Sequence, residues 1–453
     1  MKIRTSLPAA RRRRIKTLSG AFVSMLAIGG LAACGSSGGN SAQSSNGKVT
    51  LTLFQCQQCV PFPWQISAFE KAYPKIHINV ESVPFGEFYT KTAVLAASSS
   101  PPDLYTVDQP TIANLAAGKV IQPLDKYLSS TYIQSLTAAA RADFTYNGQL
   151  YSPGPIDTSL ALYYNQTLLS KAGVTPPTSL ATAWTWPQAV AAMQKCQKAN
   201  STSGGTVWGL APTTFGNGTP GFDYISMLFV RSEGSKAGSG AGLKTFEGIA
   251  PNGSTVNGYI NSPQAIAGAT FYQDIFQKYK ISPTTGIPNA FLDGKACFDM
   301  NTSNNIDTIN AAKVSFKWGV TPWPHFQSPI VHNGSTEIGI GSKTQHLAQA
   351  VQFIKFISTP AQQEEMVTKT GYLPVISSLY QTDQILTTAP WNIFATQLDQ
   401  WGEPRPVTPH YLQYSQVVTN ALRDIADGSA PAARLNQAVQ QLDQLLAQPA
   451  GAL

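Results

Sequence analysis

Two cysteines three positions apart, Cys56 and Cys59, are the residues whose spacing most directly suggests chemistry. They follow residues 49–54, whose alternating, β-rich pattern predicts a strand. A C-x-x-C motif here suits a redox active site, half of a metal site, or a short disulfide that holds a loop. The intervening Gln-Gln supplies no charge to stabilise a thiolate, and Pro61 and Pro63 place the predicted helix start beyond Cys59. No second C-x-x-C completes a metal site.

Other patterns that could carry chemistry lack the context they need. Residues 35–39 fit G-x-S-x-G, but no strand precedes them as a nucleophile elbow requires. Residues 216–221 fit G-x-G-x-x-G, but Pro220 stands where a backbone N–H should face pyrophosphate. Nothing marks a carboxylate pair for sugar hydrolysis. No metal site is predicted, because no i, i+4 pair occurs among His77, His325, His332, His346 and His410.

Length and charge narrow the class of protein. A chain of 453 residues exceeds one core, which predicts two domains or a two-lobed fold. Charged residues make up only 12%, so uncharged polar residues must supply much of the surface, as suits a protein outside the cell. Seven of the 31 basic residues and none of the acidic ones lie in residues 1–33, so 24 basic residues remain against 24 acidic ones. The rest of the chain is therefore neutral, which argues against a nucleic-acid partner.

The N-terminus has the pattern of an export signal. Residues 1–16 are cationic, and residues 17–33 are apolar, short for a membrane span, and end in small residues. LAACG at 31–35 resembles a bacterial lipobox. It implies a lipoprotein signal peptide over residues 1–33 and a lipid on Cys34 that anchors the protein to the cell membrane, facing the extracytoplasmic side. Residues 34–47 predict a flexible tether. The general and twin-arginine export routes both stay open.

The elements that would position these residues alternate between strands and helices. Strands predicted at 49–54, 75–84 and 101–108 alternate with helices at 63–74 and 86–100, which predicts a mostly parallel α/β sheet. The glycine-rich residues 237–242 predict a loop. Further helices are predicted at 186–199, 221–231, 262–279, 346–358, 360–371, 411–426 and 432–448.

The order of these segments resembles the extracellular solute-binding proteins of bacterial ABC importers, specifically the carbohydrate-binding family 1 that includes maltose-binding protein. The similarity runs over nearly all of the chain after the tether. The stretches that carry it are FEKAYPKIHINV at 69–80, SSSPPDLYTVDQPTIANLAAGKVIQPLDKYL at 98–128, LYSPGPIDTSLALYYNQTLLSKAGV at 150–174, TWPQAVAAMQKC at 185–196, AFLDGKACFDM at 290–300, WGVTPWPH at 318–325, TGYLPV at 370–375 and RPVTPHYLQYSQVVTNALRDIADG at 405–428.

This resemblance implies a type II periplasmic-binding-protein-like fold, in which two α/β lobes are joined by a multi-segment hinge around a ligand cleft. The first lobe is expected to comprise residues 48–157 and 326–375, and the second residues 158–325 and 376–453. It also implies a monomer that captures a carbohydrate and delivers it to the transmembrane subunits of an ABC permease. No enzymatic activity and no cofactor are expected.

Within that fold, ligand groups come from loops at the carboxyl ends of strands. Neutral sugars bind to flat aromatic faces and to planar amides and carboxylates. In the first lobe these rules point to Gln57 and Gln58, Asp108 and Gln109, and Asp157 and Thr158. Asp108 is the leading candidate, whereas Asp103 is expected to be a structural turn residue.

In the second lobe, relatives often carry a glycine and an aromatic residue where this chain has DMNTSNN at 299–305. The missing aromatic platform would then be supplied from elsewhere, although core packing is an equal alternative for each candidate. Trp186 is expected to pack in the core. The second-lobe candidates for ligand contact are Phe215, Asn301, Ser303, Asn304, Trp323 and Tyr411, and Tyr372 of the first lobe is a further candidate for the missing platform.

The cysteines separate the two functional hypotheses. Without Cys34, four cysteines remain, and an even count in an exported chain favours disulfides. Cys56 pairs locally with Cys59, and the resemblance places Cys196 and Cys297 in one lobe, where either a bridge or two buried thiols would fit. The alternative function is a lipid-anchored thiol–disulfide oxidoreductase that uses Cys56 and Cys59. The resemblance instead makes this pair a clamp on a ligand-facing loop.

Overall fold

Two four-stranded sheets organise the chain in a computed structural model that describes residues 47–212 and 221–449. Two short strand pairs accompany them. The strands are β1 (Val49–Cys56), β2 (Ile76–Val83), β3 (Leu104–Asp108), β4 (Thr145–Tyr146), β5 (Gln149–Leu150), β6 (Leu160–Asn165), β7 (Trp208–Leu210), β8 (Ala296–Thr302), β9 (Trp318–Thr321), β10 (Val331–His332), β11 (Thr336–Ile340) and β12 (Gly402–Glu403).

Helices cover both sheets and also form the C-terminal end of the described chain. A helix that could cross a membrane is absent from the described residues. The α-helices are α1 (Pro63–Ala72), α2 (Phe85–Ala97), α3 (Ile112–Ala117), α4 (Ser130–Ser135), α5 (Ala138–Phe144), α6 (Gln166–Ala172), α7 (Trp186–Asn200), α8 (Asp223–Ser232), α9 (Gly240–Glu247), α10 (Pro263–Gln277), α11 (Asn305–Ala312), α12 (Leu347–Ile357), α13 (Pro360–Thr370), α14 (Leu379–Thr382), α15 (Trp391–Trp401), α16 (Tyr411–Ala426) and α17 (Pro431–Leu446).

The first sheet has the strand order β11-β3-β1-β2. β1 runs parallel to β2 and β3, as the strand–helix alternation predicts, and β11 is antiparallel to β3. Apolar side chains on both faces of β1 are buried because helices cover both faces. Phe54 stacks on Phe88 of α2 at 5.6 Å between ring centroids. The parallel strands β1, β2 and β3 therefore end at one common edge.

The second sheet has the strand order β7-β8-β6-β9 and differs from the first in being mostly antiparallel. Only β7 and β8 are parallel, while β6 is antiparallel to both β8 and β9. This direction follows from the path of the chain. The segment that leaves the first sheet, here called the first crossing, leads directly into β6, which therefore runs against its neighbours.

Paired backbone segments connect the two sheets. The chain passes from the first sheet into β6 through Asp157, which forms an antiparallel bridge with Leu373. It returns between β9 and β11, where β10 pairs in parallel with β12. The Asp157 N–H donates to the Leu373 carbonyl at 2.7 Å, and the Leu373 N–H donates back at 2.9 Å. The lobe boundaries proposed from the sequence stay a prediction.

Most of the predicted helices lie within a few residues of their observed bounds, and α16 matches residue for residue. The predicted loop at 237–242 is partly wrong, because α9 begins at Gly240. Burial of Thr245 and Phe246 stabilises this helix despite its two glycines. Asp103 is structural as expected, since its carboxylate accepts hydrogen bonds from the backbone and hydroxyl of Thr52, each at 2.9 Å.

Both cysteine pairs form disulfides. Cys56 and Cys59 have Cα atoms 5.4 Å apart, which requires the chain to turn as soon as β1 ends. Gln58 makes this turn with a left-handed φ of 63°. Cys196 of α7 is bonded to Cys297 of β8, with Cα atoms 6.3 Å apart. The alternative of two buried free thiols at these positions is therefore not observed.

Candidate ligand site

The shared edge of β1 and β3 presents the polar residues that the sequence analysis selected in the first lobe. Gln57 and Gln58 are exposed on the disulfide loop after β1. Asp108 ends β3 and Gln109 follows it, and both are buried. The first pair therefore faces solvent, and the second pair is covered by residues from distant parts of the chain.

Asp108 lies in a group of charged and aromatic side chains, here called the Arg405 cluster, whose members are buried except for the half-buried Tyr89. The cluster is formed by Tyr89, Asp108, Tyr224, Arg405 and Tyr411. Tyr89 donates its hydroxyl to Asp108 Oδ2 at 2.5 Å, and Arg405 Nη2 lies 3.6 Å from Asp108 Oδ1. Arg405 Nη1 donates to the Tyr411 hydroxyl at 3.2 Å. The guanidinium also lies 5.1 Å from the Tyr224 ring centroid and 5.5 Å from that of Tyr411. Both distances allow a cation–π interaction.

The electrostatics of this cluster depend on its burial. Burial raises the pKa of Asp108, while the nearby Arg405 charge and the Tyr89 hydroxyl act in the opposite direction. Beyond the cluster, Asp223 accepts hydrogen bonds from Tyr411 at 2.7 Å and from Ser415 at 2.8 Å. Fixed donors, acceptors and aromatic faces thus lie together where first-sheet and C-terminal segments meet, an arrangement that suits binding of a neutral polyhydroxy compound.

Sequence reasoning missed two members of this cluster that touch Asp108. Arg405 follows the last short strand and stands within Pro404-Arg405-Pro406 as a lone cation beside the closing helices. The one feature of the sequence that could have marked Arg405 as a site residue is its position shortly before the candidate Tyr411. Tyr89 lies on α2, and only its hydroxyl distinguishes it from the apolar residues of the same helix.

Asp157 and Thr158 are buried in the first crossing. The Asp157 carboxylate accepts hydrogen bonds from the N–H of Gly334 at 2.9 Å and of Thr158 at 2.8 Å. The Thr158 hydroxyl donates to the Gly334 carbonyl and lies 3.0 Å from the Tyr224 hydroxyl. Burial raises the pKa of Asp157 to about 6. These contacts link the segments between the two sheets to the Arg405 cluster. Contact of Asp157 or Thr158 with a ligand stays a prediction.

Buried oxygen acceptors surround the same crossing. Gln109 donates its amide to Glu337 Oε1 at 3.2 Å. Glu337 Oε2 occupies the space beside Gly154, where a Cβ would lie 0.9 Å from that oxygen, so a larger residue there would displace the Glu337 carboxyl. Burial raises the pKa of Glu337 well above its ordinary value, which favours a protonated carboxyl. The buried oxygens without a hydrogen-bond partner among the described residues include Gln109 Oε1, Asn333 Oδ1, Glu337 Oε2 and Asp143 Oδ2.

A second group of candidates lies around Gly371 and Tyr372, next to the bridge between Asp157 and Leu373. Gly371 approaches so closely that a Cβ there would be 3.1 Å from the Asn304 Cα, and Tyr372 packs against Phe62 with centroids 6.3 Å apart. Ser303 is fully buried. Asn301 is engaged within its own strand, because its amide donates to Asp299 at 3.2 Å and its carbonyl accepts from the Thr302 N–H at 2.9 Å.

Trp323 is a candidate for the aromatic platform, with packing in the core as the equal alternative. Its side chain is 0% exposed and meets Trp186 edge to face, with centroids 5.4 Å apart. Its backbone N–H donates to Gln397 at 2.6 Å. This burial favours the packing role for Trp323 and agrees with core packing for Trp186. Cys34 and Phe215, the remaining candidates, lie outside the described residues.

Two α/β sheets joined by crossings, with converging polar and aromatic groups, define a two-lobed binding protein. Residues 64–395 match the model of the bacterial extracellular solute-binding proteins, and the chain belongs to this family. Solved structures of sugar-binding proteins share the fold. An ABC substrate-binding protein of Listeria monocytogenes, in complex with cycloalternan, superposes with a TM-score of 0.73 at 20% identity, over 88% of this chain and 99% of that one.

Two further similarities indicate the range of ligands among related proteins. A solute-binding protein of Thermotoga lettingae, bound to α-D-tagatose, also has a TM-score of 0.73, at 18% identity over 88% of this chain and all of that one. A maltotriose-binding protein of Pyrococcus abyssi is 23% identical over 76% of this chain and 70% of its own length. These findings support the solute-binding interpretation and not the thiol–disulfide oxidoreductase.

Proposed function

We propose that this protein captures a carbohydrate in the cleft between its two lobes and delivers it to the membrane permease of an ABC importer. The Arg405 cluster carries the proposal, because it joins Asp108 and Tyr89 of the proposed first lobe to Tyr224, Arg405 and Tyr411 of the second. A ligand that contacts both sides stabilises the closed form by its differential affinity. The sugar ligands of related proteins support the same chemistry.

Binding in this proposal involves no reaction. Sugar hydroxyls exchange hydrogen bonds with Asp108 and Arg405, and the tyrosine rings cover the apolar faces of the sugar. A lipid on Cys34 holds the protein at the outer face of the cell membrane, beside the permease. A bound oligosaccharide should therefore be recovered intact after prolonged incubation, and its hydrolysis would contradict the non-enzymatic role.

The test compares Asp108→Asn with Asp293→Asn, a matched control at an exposed carboxylate that pairs with Lys295. Sugar affinities are measured by calorimetry with glucose, D-tagatose, maltotriose and cycloalternan. We expect Asp108→Asn to weaken binding about tenfold or more, because hydrogen bonds to charged groups contribute roughly 1.5–3 kcal/mol. The control should bind like the wild type.

The outcomes of this test are distinct. A wild-type protein that binds none of these sugars, nor any member of a wider panel of neutral sugars, would contradict the proposed function. Unchanged affinity in Asp108→Asn would leave sugar binding intact and remove Asp108 from the site. Thermal unfolding of each variant checks that a loss of affinity does not reflect a loss of fold.

A further inference from the structure

Phe85 is the most exposed phenylalanine, tyrosine or tryptophan among the described residues, with 49% of its surface open to solvent. The other large hydrophobic side chains that are exposed among the described residues are Val80, Val94 and Val407. None of these three carries a flat aromatic ring. A single exposed apolar side chain is common on protein surfaces, so the role of Phe85 has to be argued from its position and its neighbours.

The position of Phe85 in the fold connects it to the candidate site. It opens α2 two residues after β2 ends at Val83. Because β1, β2 and β3 are parallel, this end of β2 lies at the same edge as the Cys56–Cys59 loop and Asp108. That edge is where ligands bind in open α/β sheets.

Ring contacts hold Phe85 beside the Arg405 cluster. Tyr89 lies one helical turn later on the same face of α2, with its ring 5.5 Å from that of Phe85 and nearly perpendicular to it. Tyr89 reaches Asp108 with its hydroxyl at 2.5 Å. Phe88 packs almost parallel to Phe85 at 6.3 Å. The ring is thus fixed by two neighbours and requires little ordering when a ligand packs on it.

We propose that Phe85 is a sugar-stacking residue that contributes to specificity, packing against the C–H face of a pyranose ring whose hydroxyls reach the Asp108–Arg405 pair. The proposal rests on the proposed function and adds the shape of the ligand to it. A flat apolar face selects a ring with its axial C–H groups on one side. It also places one sugar unit at the outer end of the site, so Phe85 contributes most to binding of oligosaccharides.

The test measures sugar affinity of the full-length protein by calorimetry for Phe85→Ala, Phe85→Leu and Phe85→Trp, with Val94→Ala as the control. Val94 is on the same helix and is 63% exposed, so its truncation removes apolar surface without a flat ring. Maltotriose, cycloalternan and D-tagatose are the probes. We expect about tenfold weaker oligosaccharide binding for Phe85→Ala, partial loss for Phe85→Leu, and retained affinity for Phe85→Trp and Val94→Ala.

Each outcome bears on the proposal. Unchanged affinity of Phe85→Ala for every sugar that the wild type binds would overturn the subsite while leaving the proposed function in place. Equal affinities of the Leu and Trp variants would replace stacking by general apolar contact and would also overturn it. If the wild type binds no sugar, the proposed function and the subsite are both wrong.

Discussion

The two disulfides of the described chain connect very different regions. Cys56 and Cys59 are three residues apart and bridge a solvent-facing turn that exposes Gln57 and Gln58. Cys196 and Cys297 are 101 residues apart, and both are fully buried in the core of the second sheet. A bridge that closes a long loop removes more conformational entropy from the unfolded chain than one that closes a short loop. The Cys196–Cys297 disulfide is therefore expected to stabilise the fold, and the Cys56–Cys59 disulfide is expected to order a binding loop.

The largest effect is expected from Cys196→Ser/Cys297→Ser. The free energy of unfolding should fall by about 4 kcal/mol, because closing a loop of about 100 residues is worth roughly 4.7 kcal/mol in the chain-entropy estimate. Urea denaturation measures the loss, with Cys56→Ser/Cys59→Ser as the matched control. A larger destabilisation in the control pair would reverse the assignment of roles.

A smaller effect concerns Asp299, two residues after Cys297 on β8. Burial raises the pKa of Asp299 to about 7, so the folded chain retains a proton that the unfolded chain releases between about pH 4 and pH 7. Stability should therefore fall as pH rises through this range, and Asp299→Asn should be less sensitive to pH and more stable than wild type at pH 7.5. Urea midpoints at pH 4, 5.5 and 7.5 test this, and identical pH profiles would contradict it.

The smallest effect is expected from Cys56→Ser/Cys59→Ser, and it should appear in ligand affinity. Without the bridge, the left-handed turn at Gln58 is free to open, and ordering it on binding costs roughly 0.5–1.5 kcal/mol for each immobilised side chain. We expect about fivefold weaker sugar binding with less than about 1 kcal/mol change in unfolding free energy. Unchanged affinity would show that the clamp does not serve the ligand.

Local patterns in the sequence predicted most of the elements of the fold. The alternation of β1 and the apolar face of α16 are properties of contiguous residues, so their structures could be predicted without knowing the partners. The antiparallel pairing of β6 could not, because strand direction follows from the path of the whole chain. α9 was missed for a related reason, since burial of Phe246 by other segments outweighs the low helix propensity of its glycines.

The candidate site was less predictable. Asp108 was selected because it follows a strand, a local property, whereas Arg405 and Tyr89 reach it from other elements and carry no local mark. Trp323 could not be assigned to one role for the opposite reason, because a tryptophan at this position has the same appearance in the sequence whether it faces a cleft or packs on Trp186. The role of an aromatic residue can therefore be assigned only when its packing partners are known.

The antiparallel strand β11 has a consequence for how the protein is made. Gln109 and Glu337, which are hydrogen-bonded at the ends of β3 and β11, are separated by 228 residues. During synthesis, the first sheet cannot gain its edge strand until nearly three quarters of the chain has been produced. The Arg405 cluster around Asp108 is therefore assembled late, after the entire second sheet has been translated, and on the proposed function a chain truncated before residue 336 should be unable to bind ligand.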